Sequence, residues 1–104
     1  MELGPLTNRS ITLTLAPTLD AERATAFRQL VREALDTKPE TLNIDMHNLT
    51  YIDSTGLGLL TLARGEADRI GCVVKLTQLP PGHPRKVLEL MKFDLLFSIG
   101  YIQG

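Results

Sequence analysis

Residues 11–15, Ile-Thr-Leu-Thr-Leu, alternate without exception, with Ile11, Leu13 and Leu15 on one side and Thr12 and Thr14 on the other. A period of two predicts a strand with one buried face. The pattern then changes: Ala24, Phe27, Leu30, Val31, Ala34 and Leu35 recur at helical spacing, and Lys38-Pro39 ends the run. Asp20 stands before this helix as an N-cap, and Glu22 suits the positive end of its dipole. Alternation returns over residues 41–47, where Leu42, Ile44 and Met46 oppose Asn43, Asp45 and His47. A second helix is predicted from about Thr55 to Arg69, closing before Gly71. Residues 72–77 read as a third strand, with Val74 and Leu76 opposite Lys75 and Thr77. Pro80-Pro81-Gly82 is a loop, and Pro84 fits the first turn of a third helix to about Lys92. Residues 97–102 supply a last strand, and residues 1–10 a short edge strand before the turn Thr7-Asn8-Arg9-Ser10.

Strands alternating with helices of this length predict an α/β fold built from βαβ units around a largely parallel sheet. In a doubly wound sheet both faces are covered and the strands become continuous apolar runs. Three strands here keep a polar parity, so the helices are expected mainly on one face. At 104 residues, residues 1–104 form one domain, without internal repeat or linker.

Bulk chemistry narrows the classes. The net charge of −1 supplies no basic excess for nucleic acid or an anionic membrane surface. Cys72 is the single cysteine, which rules out an intramolecular disulfide and points to a reducing compartment. The start MELGPLTNRS has neither the basic nor the apolar region of a secretory leader, so a cytoplasmic location is expected. The longest apolar run, residues 57–63, is far below the ~20 residues a spanning helix needs, so direct membrane insertion is not expected.

The chemistry concentrates in YIDSTGLGLL, residues 51–60. An N-cap and a tight turn account for one hydroxyl and one glycine. They do not account for Gly58, which sits inside the helix at a cost of ~1 kcal/mol relative to alanine. Leu57, Leu59, Leu60 and Leu62 also point to several sides of the helix, so part of that apolar surface is on offer to a partner. A helix N-terminus tolerates an added phosphate, because its unpaired N–H groups and dipole favour negative charge. Ser54 is therefore the candidate phosphoacceptor. Gly56, Leu57 and Gly58 are the candidate docking edge, bare enough for another backbone to approach.

The segment LNIDMHNLTYIDSTGLGLL, residues 42–60, resembles the signature of STAS domains, and most closely the single-domain anti-sigma factor antagonists (anti-anti-sigma factors). That signature is a hydrophobic strand with an Asp, followed by a hydrophobic-Asp-Ser-Ser/Thr-Gly-Leu-Gly turn into a helix. The likeness extends to Thr18-Leu19-Asp20 and to VLELMKF, residues 87–93. It implies a STAS-like, four- to five-stranded sheet with helices mainly on one face. It also implies partner switching. The unphosphorylated protein binds a GHKL-type serine kinase serving as anti-sigma factor, the kinase phosphorylates Ser54, and a PP2C-type phosphatase reverses this. ATP is then the kinase's ligand, and no cofactor of this chain is expected. Asp20, Asp53, Thr55, Gly56, Leu57 and Gly58 are the implied partner-binding residues, with Asp20 facing a basic group of the kinase and Thr55 capping the helix. The chain departs from the pattern at Pro17-Thr18, where the family usually has Gly-Glu, and at Lys92, where relatives often have a helix-ending Gly. The loop LPPGHP, residues 79–84, is also atypical.

Other chemistries fit less well. A receiver domain needs an acidic pair for Mg²⁺ beside its phosphoacceptor, and Asp20 stands alone. A hydrolase needs a nucleophile, base and orienting acid, yet Ser54 lies in Asp-Ser-Thr-Gly rather than a G-x-S-x-G elbow. His47 reads as a solvated or capping residue, His83 as a loop residue, and Cys72 as a small buried hydrophobe. Two separated histidines and one cysteine offer no metal-ligand spacing. The nearer rival is a STAS interaction subunit of a membrane transport or lipid-trafficking complex, working without serine phosphorylation.

Overall fold

The computed structural model describes residues 1–102. Seven strands and three α-helices follow in the order β1 (Glu2–Leu3), β2 (Ser10–Thr14), β3 (Thr18–Leu19), α1 (Ala24–Asp36), β4 (Thr41–Asp45), β5 (Tyr51–Ile52), α2 (Ser54–Asp68), β6 (Val73–Leu79), α3 (His83–Leu90) and β7 (Ser98–Tyr101). Short 3₁₀ turns lie over Ala21–Arg23 and Phe93–Leu95. The main sheet has five strands in the order β1-β2-β4-β6-β7, and only β1 runs antiparallel to its neighbour. The mixed, mostly parallel α/β sheet expected from the alternation is therefore present.

Parallel register aligns Leu13 with Ile44 and Ile44 with Leu76, so the alternating apolar positions of three strands converge on one face. Ile11, Leu13, Leu42, Ile44, Val74 and Leu76 are buried there. Helices α1 and α2 pack against each other and against β2 and β6 respectively. Phe27, Val31 and Ala34 of α1, and Leu59, Leu60, Ala63 and Ala67 of α2, are the buried positions, recurring every three or four residues. The opposite parity forms a polar row, Thr12-Asn43-Lys75-Ser98. Its Thr12 and Asn43 are half-buried, whereas Lys75 and Ser98 are exposed. No helix is long and apolar enough to cross a membrane among the described residues.

Several boundaries move for local reasons. Strand β6 runs two residues past Thr77 because Gln78, at φ 59°, forms a bulge that restores Leu79 to the buried face. Helix α3 stops at Leu90, and Lys92 at φ 56° takes the left-handed position that often ends helices. His83 is the first residue of α3 rather than part of the preceding loop. The second sheet, β3 beside β5, is two residues long in each strand and falls below the length at which alternation is readable.

Candidate functional site

The second sheet builds the site. Thr18 pairs with Tyr51 and Leu19 with Ile52 in parallel, so both strands deliver their next residues, Asp20 and Asp53, to the same end. The β3 approach is fastened by Pro17, whose carbonyl accepts hydrogen bonds from the Thr50 N–H at 2.7 Å, the Tyr51 N–H at 3.2 Å and the Thr50 hydroxyl at 3.1 Å. The Pro17-Thr18 departure thus sits in a tied segment. From Asp53 the chain turns into α2.

Asp53 is the N-cap of α2. Its backbone is extended (φ −115°, ψ −173°), and Oδ1 accepts a hydrogen bond from the Gly56 N–H at 2.9 Å. A carboxylate here meets both the orphan amides and the positive dipole end. Thr55 is therefore not the cap: it lies in the first turn, exposed. Ser54 is the first helical residue, also exposed, and its hydroxyl makes no hydrogen bond among the described residues. Asp20 does not cap by its side chain either. It precedes the 3₁₀ turn, where only its carbonyl accepts from the Arg23 N–H at 3.1 Å. One carboxylate oxygen of Asp20 is buried and has no partner among the described residues. Ser54 thus follows one carboxylate directly and has a second on the neighbouring strand, one of them incompletely satisfied.

The expected bare edge at residues 56–58 divides into three roles. Gly56 is buried, and a Cβ there would collide with the Leu19 carbonyl oxygen and stand 2.7 Å from Ile52 Cγ1. Its missing side chain lets α2 sit directly on β3, so it contributes packing rather than an open edge. Leu57 is half-buried against the core. Gly58 alone is bare: it is exposed, and a Cβ added to it would meet nothing within 4 Å. It begins a groove of about 460 Å³ along the solvent side of α2, lined by Gly58, Thr61, Leu62, Gly65, Glu66 and Arg69. Leu62, turned to this groove, is the outward leucine of the otherwise buried set.

Sequence reasoning missed one neighbour of the site. His83 stacks its ring on Tyr51, with centroids 5.3 Å apart and planes 5° from parallel, and its Nε2 lies 3.3 Å from the Ile52 carbonyl oxygen. Nothing local marks a partner 31 residues away, and Gly82 and Pro84 on either side make the histidine read as a loop residue. His47 is exposed, and both its N–H and its Nδ1 meet Asp45 Oδ1, at 3.0 and 2.8 Å. Among the described residues, no group of three or more His, Cys, Asp or Glu side chains is placed to hold a metal ion.

Comparison with known proteins places this arrangement. A STAS-domain containing protein of Pseudomonas aeruginosa (strain UCBPP-PA14) is 34% identical over 67 residues, covering 64% of this chain and 65% of that protein. The match therefore spans just under two thirds of that relative's length. An anti-sigma factor antagonist from Mycobacterium paratuberculosis superposes with a TM-score of 0.80 at 17% identity, covering 95% of this chain and 82% of the other. A sulfate transporter family protein from Wolinella succinogenes gives 0.78 at 12%, covering 93% and 80%. The Bacillus cell-fate determinant SpoIIAA, in its phosphorylated form, gives 0.67 at 20%, covering 98% and 90%. These structural likenesses establish a shared fold. The family model described as "Mlab, STAS domain" matches residues 5–98, a span that takes in β2 through the start of β7 and the whole Asp20–Asp53–Ser54 end of the molecule. With nearly the full chain matched, and a capped Asp-Ser-Thr-Gly turn leading into α2, the protein belongs to the STAS domain family.

Proposed function

We propose that this chain is an anti-sigma factor antagonist that works by partner switching, as a substrate rather than an enzyme. In its unphosphorylated form the Ser54 end of α2 docks on a GHKL-type serine kinase that serves as anti-sigma factor. Phosphorylation of Ser54 releases it, and a PP2C-type phosphatase restores it. The observation that carries this reading is the separation of two duties at adjacent residues. Asp53 holds the helix cap, while the Ser54 hydroxyl is exposed and holds nothing among the described residues. A phosphate can therefore be added at no cost in native contacts. It brings about −1.5 to −2 charges beside Asp53 and Asp20, which turns the docking face strongly negative. Gly58 and the half-buried Leu57 supply the apolar contact that this charge disrupts, with Thr55 at its margin and Asp20 offering a carboxylate to a basic group of the kinase. The fold shared with SpoIIAA, a protein solved in a phosphorylated form, is consistent with such a switch.

The test is intact-mass analysis and peptide mapping after incubation with ATP and lysate from the native organism. Acid-stable phosphate on Ser54, absent from Ser54→Ala, is the expected result. Acid-labile phosphate on Asp53 overturns it. The second reading, a STAS subunit of a membrane transport or lipid-trafficking complex, is favoured by the fold shared with the sulfate transporter family protein. Absence of phosphate under every condition, with a membrane ATPase captured in place of a kinase, decides for that reading.

A further inference from the structure

Strand β5 has a neighbouring strand on one side only, so the backbone groups of its outer edge need another partner. The Tyr51 N–H points at β3, where it meets the Pro17 carbonyl. Backbone groups alternate in direction along a strand, so the Ile52 carbonyl points to the opposite edge. There it meets His83, whose Nε2 lies 3.3 Å away. A carbonyl only accepts, so Nε2 carries the proton and donates it, while the ring lies flat on Tyr51. The histidine stands where a third strand would. It grips two consecutive residues of β5, Tyr51 by the side chain and Ile52 by the backbone.

The element that delivers His83 is itself fastened to the main sheet. Pro84 is buried in the first turn of α3. Arg85 donates through Nη2 to the carbonyl of Leu79, the last residue of β6, and to that of Ile102, just past β7, at 2.9 Å. Its Cζ also lies 4.9 Å from the centroid of the Tyr101 ring. Contacts therefore run without a break from the main sheet through Arg85 and His83 to Ile52, and the next two residues are the cap Asp53 and the acceptor Ser54. Two paired strands of two residues each are too little to fix that corner alone. His83 is exposed, so removing it opens no cavity and the fold as a whole depends little on it. We propose that His83 is a positioning residue for phosphorylation of Ser54, acting through the Ile52 carbonyl. This rests on the partner-switching reading. An acceptor displaced by about 1 Å costs on the order of 10²-fold in rate, although the docking contacts elsewhere persist. Loss of His83 should therefore slow the transfer itself and leave docking unchanged.

The test follows phosphate uptake on Ser54 by intact mass, with ATP and lysate of the native organism, at several concentrations of the full chain. His83→Ala should lower the maximal rate by about tenfold or more and hold the half-saturating concentration within about twofold. His83→Gln keeps an N–H donor and should recover most of the rate, whereas His83→Phe keeps only the ring and should not. A raised half-saturating concentration at an unchanged maximal rate makes His83 a docking contact and overturns the proposal. Equal rates in all four proteins overturn it too, as does a loss of rate that only tracks a lowered urea midpoint. Hydrogen exchange needs no kinase: the Gly56 amide, held by Asp53 Oδ1, should exchange about tenfold faster in His83→Ala at a near-native urea midpoint. Unchanged exchange at Gly56 overturns the proposal whatever the lysate does. Faster exchange in His83→Ala, with no phosphate on the wild-type chain, overturns the switch reading instead, because His83 then holds a corner that no kinase uses.

Discussion

Two glycines two residues apart in α2 should respond to the same substitution in opposite directions. In Gly56→Ala the new Cβ runs into the Leu19 carbonyl oxygen, and lies 3.0 Å from the Leu19 carbonyl carbon and 2.7 Å from Ile52 Cγ1. The Ile52 side chain can shift, but the Leu19 contacts are backbone in a paired strand. The first turn of α2 therefore has to lift off β3 by roughly 1 Å in an interior that is already close-packed. Overpacking of this kind costs ~1–3 kcal/mol. Lifting the turn also weakens the Asp53 cap on the Gly56 N–H, worth about 1 kcal/mol. Alanine returns ~1 kcal/mol of helix propensity, which offsets the lost cap, so the net loss is about 1–3 kcal/mol. For a domain of this size that lowers the thermal midpoint by roughly 10 °C. Gly58→Ala meets nothing within 4 Å and keeps only the propensity gain, so it should raise the midpoint by a few degrees. Urea titration followed by circular dichroism measures both, with the slope of the transition checked for constancy so that the midpoints can be compared. Wild-type stability in Gly56→Ala, or an equal loss in Gly58→Ala, would refute the reasoning that one glycine serves packing and the other an open surface.

Exchange of the residues at the helix start should rank in the same assay. Asp53→Ala loses about 1 kcal/mol with the cap, whereas Ser54→Ala stays within ~0.5 kcal/mol of wild type; the reverse order would place the cap on the serine. Lys92→Gly relieves a left-handed residue at φ 56° and should stabilise by about 1 kcal/mol, visible as a raised thermal midpoint; no gain would show the lysine unstrained there. Burial pushes the Cys72 thiol above its ordinary value of 9.0, so the folded state holds this proton to higher pH than the unfolded chain does. The stability tied to this group is therefore complete below pH 9.0 and falls as pH rises above it. Urea midpoints of wild type and Cys72→Ala across that range should diverge accordingly, and parallel curves would exclude the linkage.

The alternating residues of β2, β4 and β6, and the three- and four-residue spacing in α1 and α2, were sufficient by themselves to predict an α/β sheet covered mainly on one face. This works because the side-chain period of each element is set by its own backbone, and a buried face has to be apolar along its whole length. The Asp-Ser-Thr-Gly turn and its link to a phosphorylatable helix start were legible for a similar reason, since cap chemistry is local. What the chain did not disclose depends on residues brought together from far apart. Asp, Ser and Thr are all competent caps, and only the extended geometry at Asp53 decides which of them holds the Gly56 amide. A glycine records that a side chain is absent, not what occupies its place. Leu19, far earlier in the chain, makes Gly56 a packing residue, while open solvent makes Gly58 a surface. The stack of His83 on Tyr51 arises in the same way, because Tyr51 stands in the two-residue sheet that joins β3 to β5. Sequence determined the elements and the chemistry each can offer. Tertiary contact decided which of those groups is spent on holding the fold and which is left free for a partner.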